Sequence, residues 1–150
     1  MKAITTLATV TALLSAMASA MSLESCGASD YVSGVSVKAD DLVPGKEICS
    51  EISGDVLKEI GGGTVEVNAN PAGLGTQTRE FDICEVAKGC PIKPGHHTFK
   101  VCNKAENFPT NIEVQFEVIG KSSNGNTLFC FKGKAVTKSG SKKRRLPSDY

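Results

Sequence analysis

Apolar and polar residues alternate along most of the chain, the period of strands buried on one face. The clearest run covers residues 111–118, where Ile112, Val114, Phe116 and Val118 alternate with Asn111, Glu113, Gln115 and Glu117. Val35 and Val37 oppose Ser36 and Lys38, Val65 and Val67 oppose Thr64 and Glu66, and Phe99 and Val101 oppose Lys100 and Cys102. Phe81 and Ile83 flank Asp82 on a run leading to Cys84. Residues 46–54 fit two patterns. As a strand, Ile48, Ser50 and Ile52 face inward; as a helix, Ile48, Ile52, Val56 and Ile60 line one side. Gly54 and the Gly61-Gly62-Gly63 run oppose one long helix. The expectation is therefore a strand, then a loose segment or helical turn through Ile60.

Turn residues separate these runs. Pro44-Gly45 ends one, residues 71–78 form a Gly-containing loop, and Asn107 to Pro109 turns the chain again. Residues 122–126 hold an Asn-Gly pair, a strong hairpin signal, with the return strand over 127–136. About seven short strands between turns predict an all-β chain folded as an antiparallel β-sandwich. One stretch stands apart: Cys84 and Cys90 bracket five residues, and Pro91-Ile92-Lys93-Pro94-Gly95 follows. Two prolines fix φ and remove backbone donors, so this stretch is neither helix interior nor central strand. It reads as a fixed loop framing the mouth of a cavity, with Lys93 at the rim.

The chain ends change the picture. Lys2, a mostly apolar run over 4–17 and Ala18-Ser19-Ala20 make residues 1–20 read as a cleavable signal peptide. The run is short and broken by threonines, against a transmembrane anchor. Residues 21–137 then form one domain, secreted or in the lumen of the endomembrane or vacuolar–lysosomal system. Overall charge is nearly balanced, 17 basic against 16 acidic residues. The basic excess lies in a tail over 138–150, where Lys138, Lys142, Lys143, Arg144 and Arg145 face Asp149 and leave the preceding domain acidic. Such a tail is expected to be disordered. It is a candidate for transient contact with anionic membrane; the alternative is a solvated end without a partner. Nothing in the chain calls for a nucleic-acid partner.

All six cysteines follow the cleavage site, and an even count in a secreted chain reads as three disulfides. A zinc site would want closely spaced pairs that are absent, so no metal and no cofactor is expected. Cys49 and Cys102 both occupy outward strand positions, Cys84 and Cys90 can staple their own loop, and Cys26 with Cys130 would tie the first strand to the last. Strand parity alone leaves the pairing open.

Three pieces together resemble a known family: Cys26-Gly27, the Cys84-to-Gly95 stretch, and Leu128-Phe129-Cys130. In order and spacing they are similar to the secreted ML (lipid-recognition) domains, which include the Niemann–Pick type C sterol carrier and fungal phosphatidylglycerol/phosphatidylinositol transfer proteins. The resemblance implies bridges Cys84–Cys90 and Cys26–Cys130; the chain departs from the family at the third pair, where Cys49 and Cys102 remain and strand parity lets them pair. It also implies an immunoglobulin-like sandwich whose sheets part to hold a sterol or phospholipid. The cavity candidates are Ile52, Val65, Val67, Phe81, Ile83, Phe99, Val101, Ile112, Val114, Phe116 and Val118. Alternation alone favours a filled core, because it cannot tell a core from a pocket. The resemblance reverses that preference.

Catalytic readings fail. His96-His97 lacks a framed nucleophile, and Gly61-Gly62-Gly63-Thr64 lacks the phosphate-loop frame. The expectation is a non-enzymatic, monomeric lipid-binding or lipid-transfer protein. The alternative is a secreted protein-interaction module, of effector or immune-recognition type, with a filled core.

Overall fold

The computed structural model describes residues 22–140. The expected signal peptide, residues 1–20, and the basic run 142–145 lie outside them. Eight strands and one helical turn follow in order: β1 Ser22–Ser25, β2 Val32–Ala39, β3 Glu47–Val56, β4 Gly63–Pro71, β5 Gln77–Asp82, α1 Ile83–Val86, β6 Gly95–Lys104, β7 Glu113–Ser122 and β8 Thr127–Val136. They build two antiparallel sheets, a five-stranded one in the order β1-β8-β7-β4-β5 and a three-stranded one in the order β2-β3-β6. This is an immunoglobulin-like β-sandwich, as the alternation and the resemblance predict.

Strand parity decides what each sheet turns inward. In β3 and β6 the pairs Ile52↔Phe99 and Ser50↔Val101 face the opposing sheet, and Cys49↔Cys102 falls on the outer face. In the larger sheet Val67↔Val118 and Ala69↔Phe116 face inward across β4 and β7. The ambiguous stretch is therefore strand, from Glu47 onward. A helix there would have left the β2 and β6 backbones unpaired along β3.

Two departures from the sequence reading concern β1 and α1. Residues 22–25 are a strand, pairing with β8 from Ser22↔Lys134 to Ser25↔Phe131. Four residues with one large apolar side chain, Leu23, carry no alternation signal of their own; the partner strand defines them. Ile83 does not continue the strand of Phe81. Asp82 is instead the N-cap of α1, its Oδ1 accepting from the Cys84 backbone N–H at 2.7 Å.

The three disulfides are Cys26–Cys130, Cys49–Cys102 and Cys84–Cys90. Cys49 and Cys102 are directly opposite, with Cα atoms 4.1 Å apart, close to the spacing of a non-hydrogen-bonded antiparallel pair. The β7–β8 hairpin forms at the Asn-Gly signal: Gly125 takes φ 81° and its N–H donates to the Ser122 carbonyl at 2.9 Å. The β7–β8 register shifts beyond Gly120, and both Leu128 and Phe129 are buried. Gly120 sits beneath the Phe129 ring, where an added Cβ would come within 2.6 Å of it.

Candidate functional site: a cavity at one end of the sandwich

The interior divides lengthwise. At the end carrying the Cys84–Cys90 loop it is filled. Ile60 and Ile92 exchange backbone hydrogen bonds of 2.9 and 2.8 Å, which dock the stapled loop onto the segment between β3 and β4. Ile60, Ile83 and Ile92 then plug the gap between the sheets together with Val65, Phe99, Leu128 and Phe129. The Phe99 and Phe129 rings lie 6.1 Å apart, within aromatic contact range.

At the other end the sheets enclose a cavity of about 150 Å³. Its apolar wall includes Leu23 of β1, Val37 of β2, Ile48 and Ile52 of β3, Val67 of β4, Val101 of β6, Val114, Phe116 and Val118 of β7, and Phe131 of β8. Space remains because several facing positions are small: Ala39, Ser50, Ala69 and Ala105. The exposed lining residues mark the mouth. They are Asp40 after β2, Arg79 of β5, Asn103 and Lys104 at the end of β6, and Glu106 just beyond it.

Of the sequence candidates, Ile52, Val67, Val101, Val114, Phe116 and Val118 line this cavity. Val65, Ile83 and Phe99 do not; they are buried in the filled end, with Phe81 packed against them. Val65, Phe81 and Phe99 share the inward parity of the cavity residues but lie nearer the plug, and Ile83 is turned into the plug by α1. Ile112 falls before β7, where its N–H donates to Thr137 Oγ1 at 3.0 Å, so the strand pattern placed it one step too early.

The mouth is also placed differently. Lys93 is exposed on the stapled loop, at the filled end, and its carbonyl meets His97 Nε2 at 2.7 Å. The stapled loop closes the sandwich rather than framing its opening. His96 is exposed beside Asp55, Nδ1 to Oδ1 3.0 Å, near the start of β6, away from the end of that strand that lines the cavity.

Polar residues the sequence reading passed over lie at the mouth. Gln77 and Arg79 precede Phe81 by four and two residues and share its inward face, pairing with Ala69 and Val67. Glu106 reaches both: Gln77 Nε2 donates to Oε2 at 2.7 Å, and Arg79 Nη2 lies 3.5 Å from Oε1. The signal was present as inward-phase polar residues on a strand, hidden because residues 71–78 read as loop. Among the described residues, the cluster Cys26, Glu117 and Cys130 is the sole group with metal-like spacing, and its sulfurs are committed to a disulfide.

A two-sheet sandwich, three bridges and an apolar space between the sheets raise the question of kinship. The chain matches the ML domain family over residues 20–136. It belongs to that family. Two curated relatives, phosphatidylglycerol/phosphatidylinositol transfer proteins of two strains of Cryptococcus neoformans var. neoformans serotype D, are each 35% identical over 83 residues, 49% of this chain and 46% of theirs. The chain thus spans about half the length of the curated relatives it matches. A Niemann-Pick type C2 protein from Japanese carpenter ant superposes with TM-score 0.56 at 18% identity, covering 78% of this chain and 99% of that one. Chicken MD-1 complexed with lipid IVa gives 0.52 at 12% identity, covering 76% and 87%. At these identities the two structures speak for the ML sandwich and no further.

Proposed function

We propose that this ML domain protein binds and transfers a lipid, taking the apolar part of its ligand between the two sheets at the cavity end. The observation that carries the reading is the apolar cavity itself, with its charged residues confined to the mouth. An acyl or sterol surface entering it leaves water at a gain of roughly 25 cal/mol per Å², while the headgroup stays at the wet rim. The relatives named as phospholipid transfer proteins support the same reading. Binding is non-covalent and no catalysis is involved. Three formed disulfides fit a secreted or lumenal compartment.

The cavity as it stands is smaller than the roughly 300–1,000 Å³ of sites for drug-sized ligands. Loading therefore requires the sheets to part further at the mouth. Native mass spectrometry of the oxidised protein after incubation with mixed liposomes tests the proposal. A 1:1 lipid adduct is expected. A protein that stays bare across sterol- and phospholipid-containing liposomes would instead be a surface-interaction module.

A further inference from the structure

We propose that Arg79 and Gln77 are the phosphate-recognising pair for an anionic phospholipid, and that Glu106 occupies their site until such a lipid displaces it. The proposal rests on the lipid-cavity reading above and names the ligand class and the residues that select it.

Arg79 lies on the inward face of β5, opposite Val67 of the cavity wall. Its aliphatic stem can follow that wall while the guanidinium stays at the water-facing mouth. Gln77 sits two residues earlier on the same face. Both side chains converge on one carboxylate, Glu106, at 2.7 and 3.5 Å. Two donors meeting at one anion mark where an oxyanion belongs. A phosphate diester offers oxygens of the same kind, and the guanidinium fork matches them bidentately. The other anionic group of the lining, Asp40, is engaged elsewhere, its Oδ2 accepting from the Cys49 N–H at 3.1 Å.

The Glu106 ties also span the edge that has to open. Glu106 follows β6 of the smaller sheet, and Gln77 and Arg79 stand on the edge strand β5 of the larger one. Widening a 150 Å³ cavity for lipid chains separates these partners. The pair is about half exposed on both sides, 56% and 51%, so it is weak and displaceable. A lipid that carries its own anion replaces the broken contacts with equivalent ones. A neutral lipid with the same chains leaves Arg79 without a partner. The mouth therefore favours phosphatidylglycerol-type ligands over neutral ones.

The test compares vesicle-to-protein uptake of phosphatidylglycerol and of diacylglycerol with identical chains, reported as a ratio. Arg79→Gln is expected to lower that ratio about tenfold, as loss of a charge-assisted hydrogen bond implies. Glu106→Gln, which frees Arg79, is expected to raise it about threefold. Lys93→Gln, at the filled end, leaves it unchanged. Free glycerol 3-phosphate at matched concentration should not displace the lipid. If it competes as well as phosphatidylglycerol does, the site serves soluble phosphate and the proposal fails. Uptake of both lipids with the Arg79→Gln ratio within twofold of the unaltered protein sinks this proposal alone. Uptake of neither lipid by the unaltered protein sinks the cavity reading and this one with it. Circular dichroism of each variant confirms that a lost ratio is not a lost fold.

Discussion

The two ends of this sandwich are built from one pattern and reach opposite outcomes. At the filled end, inward positions carry Phe99, Phe129 and Val65, and the connections add Ile60, Ile83 and Ile92 as a plug. At the cavity end, inward positions of the same strands carry Val67, Val101, Phe116 and Val118, but they face Ala39, Ser50, Ala69 and Ala105. The connections there bring Leu42 and Phe108 onto the lining, yet space is left between them and the strands. What separates a core from a pocket is the summed size of side chains that face each other across the sheets. Those residues are distant in sequence, so no local window contains the answer. Under the proposed function the difference also divides labour: the plugged end holds the sheets together while the other end parts to load a lipid.

The sharpest way to break the comparison is to damage the plug. Phe99→Ala should cost about 3–5 kcal/mol, because it opens a void among fully buried neighbours. Denaturant titration measures this, and a cost under 1 kcal/mol would mean that the filled end is not the stabilising half. Gly120→Ala attacks the same end more mildly. The new Cβ would press on the Phe129 ring, which is itself packed on Phe99 and Phe131. Overpacking of that kind costs about 1–3 kcal/mol, read as a lower thermal midpoint with the disulfides intact.

A third variant makes the open end resemble the filled one. Ala69→Phe places a ring on the inward face of β4, between Gln77 and Phe116, where the cavity has space. Stability should change by less than about 1 kcal/mol, since the ring fills existing volume. Lipid uptake should fall about tenfold or more, measured by the liposome incubation above. Unchanged uptake would place the lipid somewhere other than between the sheets.

Much of this architecture was legible because strands with one wet face announce themselves. The β7–β8 hairpin is the plainest case: alternation on one side, Asn124-Gly125 at the tip, and a return strand at its expected bounds. Three things were not legible, each for a physical reason. β1 has too few residues for a period, and pairing with β8 alone makes it a strand. The first half of β5 is polar on both faces, so no apolar phase extends the Phe81 run back to Arg79 and Gln77, although their parity matches it. The direction of the opening was inverted. A disulfide-stapled, proline-rich loop looks like a fixed frame for a mouth, but Ile92 inside it is 2% exposed and paired with Ile60, which makes the loop a lid on the plug.

The smallest expected effect bears most directly on how the open end opens. Arg79–Glu106 is a half-exposed ion pair at 3.5 Å, so Arg79→Gln should lower stability by less than about 1 kcal/mol. For a domain of this size that shifts the thermal midpoint by only a few degrees. The shift should fade as salt is raised toward about 1 M, where exposed charges are screened within about 3 Å. A midpoint drop several times larger, insensitive to salt, would mean that the tie is a structural staple like the Ile60–Ile92 contact at the other end. The mouth would then be as closed as the plug. A small, salt-sensitive shift means that the two ends differ in how they are held as well as in how they are filled: one by buried apolar contact, the other by an ion pair weak enough for an anionic lipid to displace.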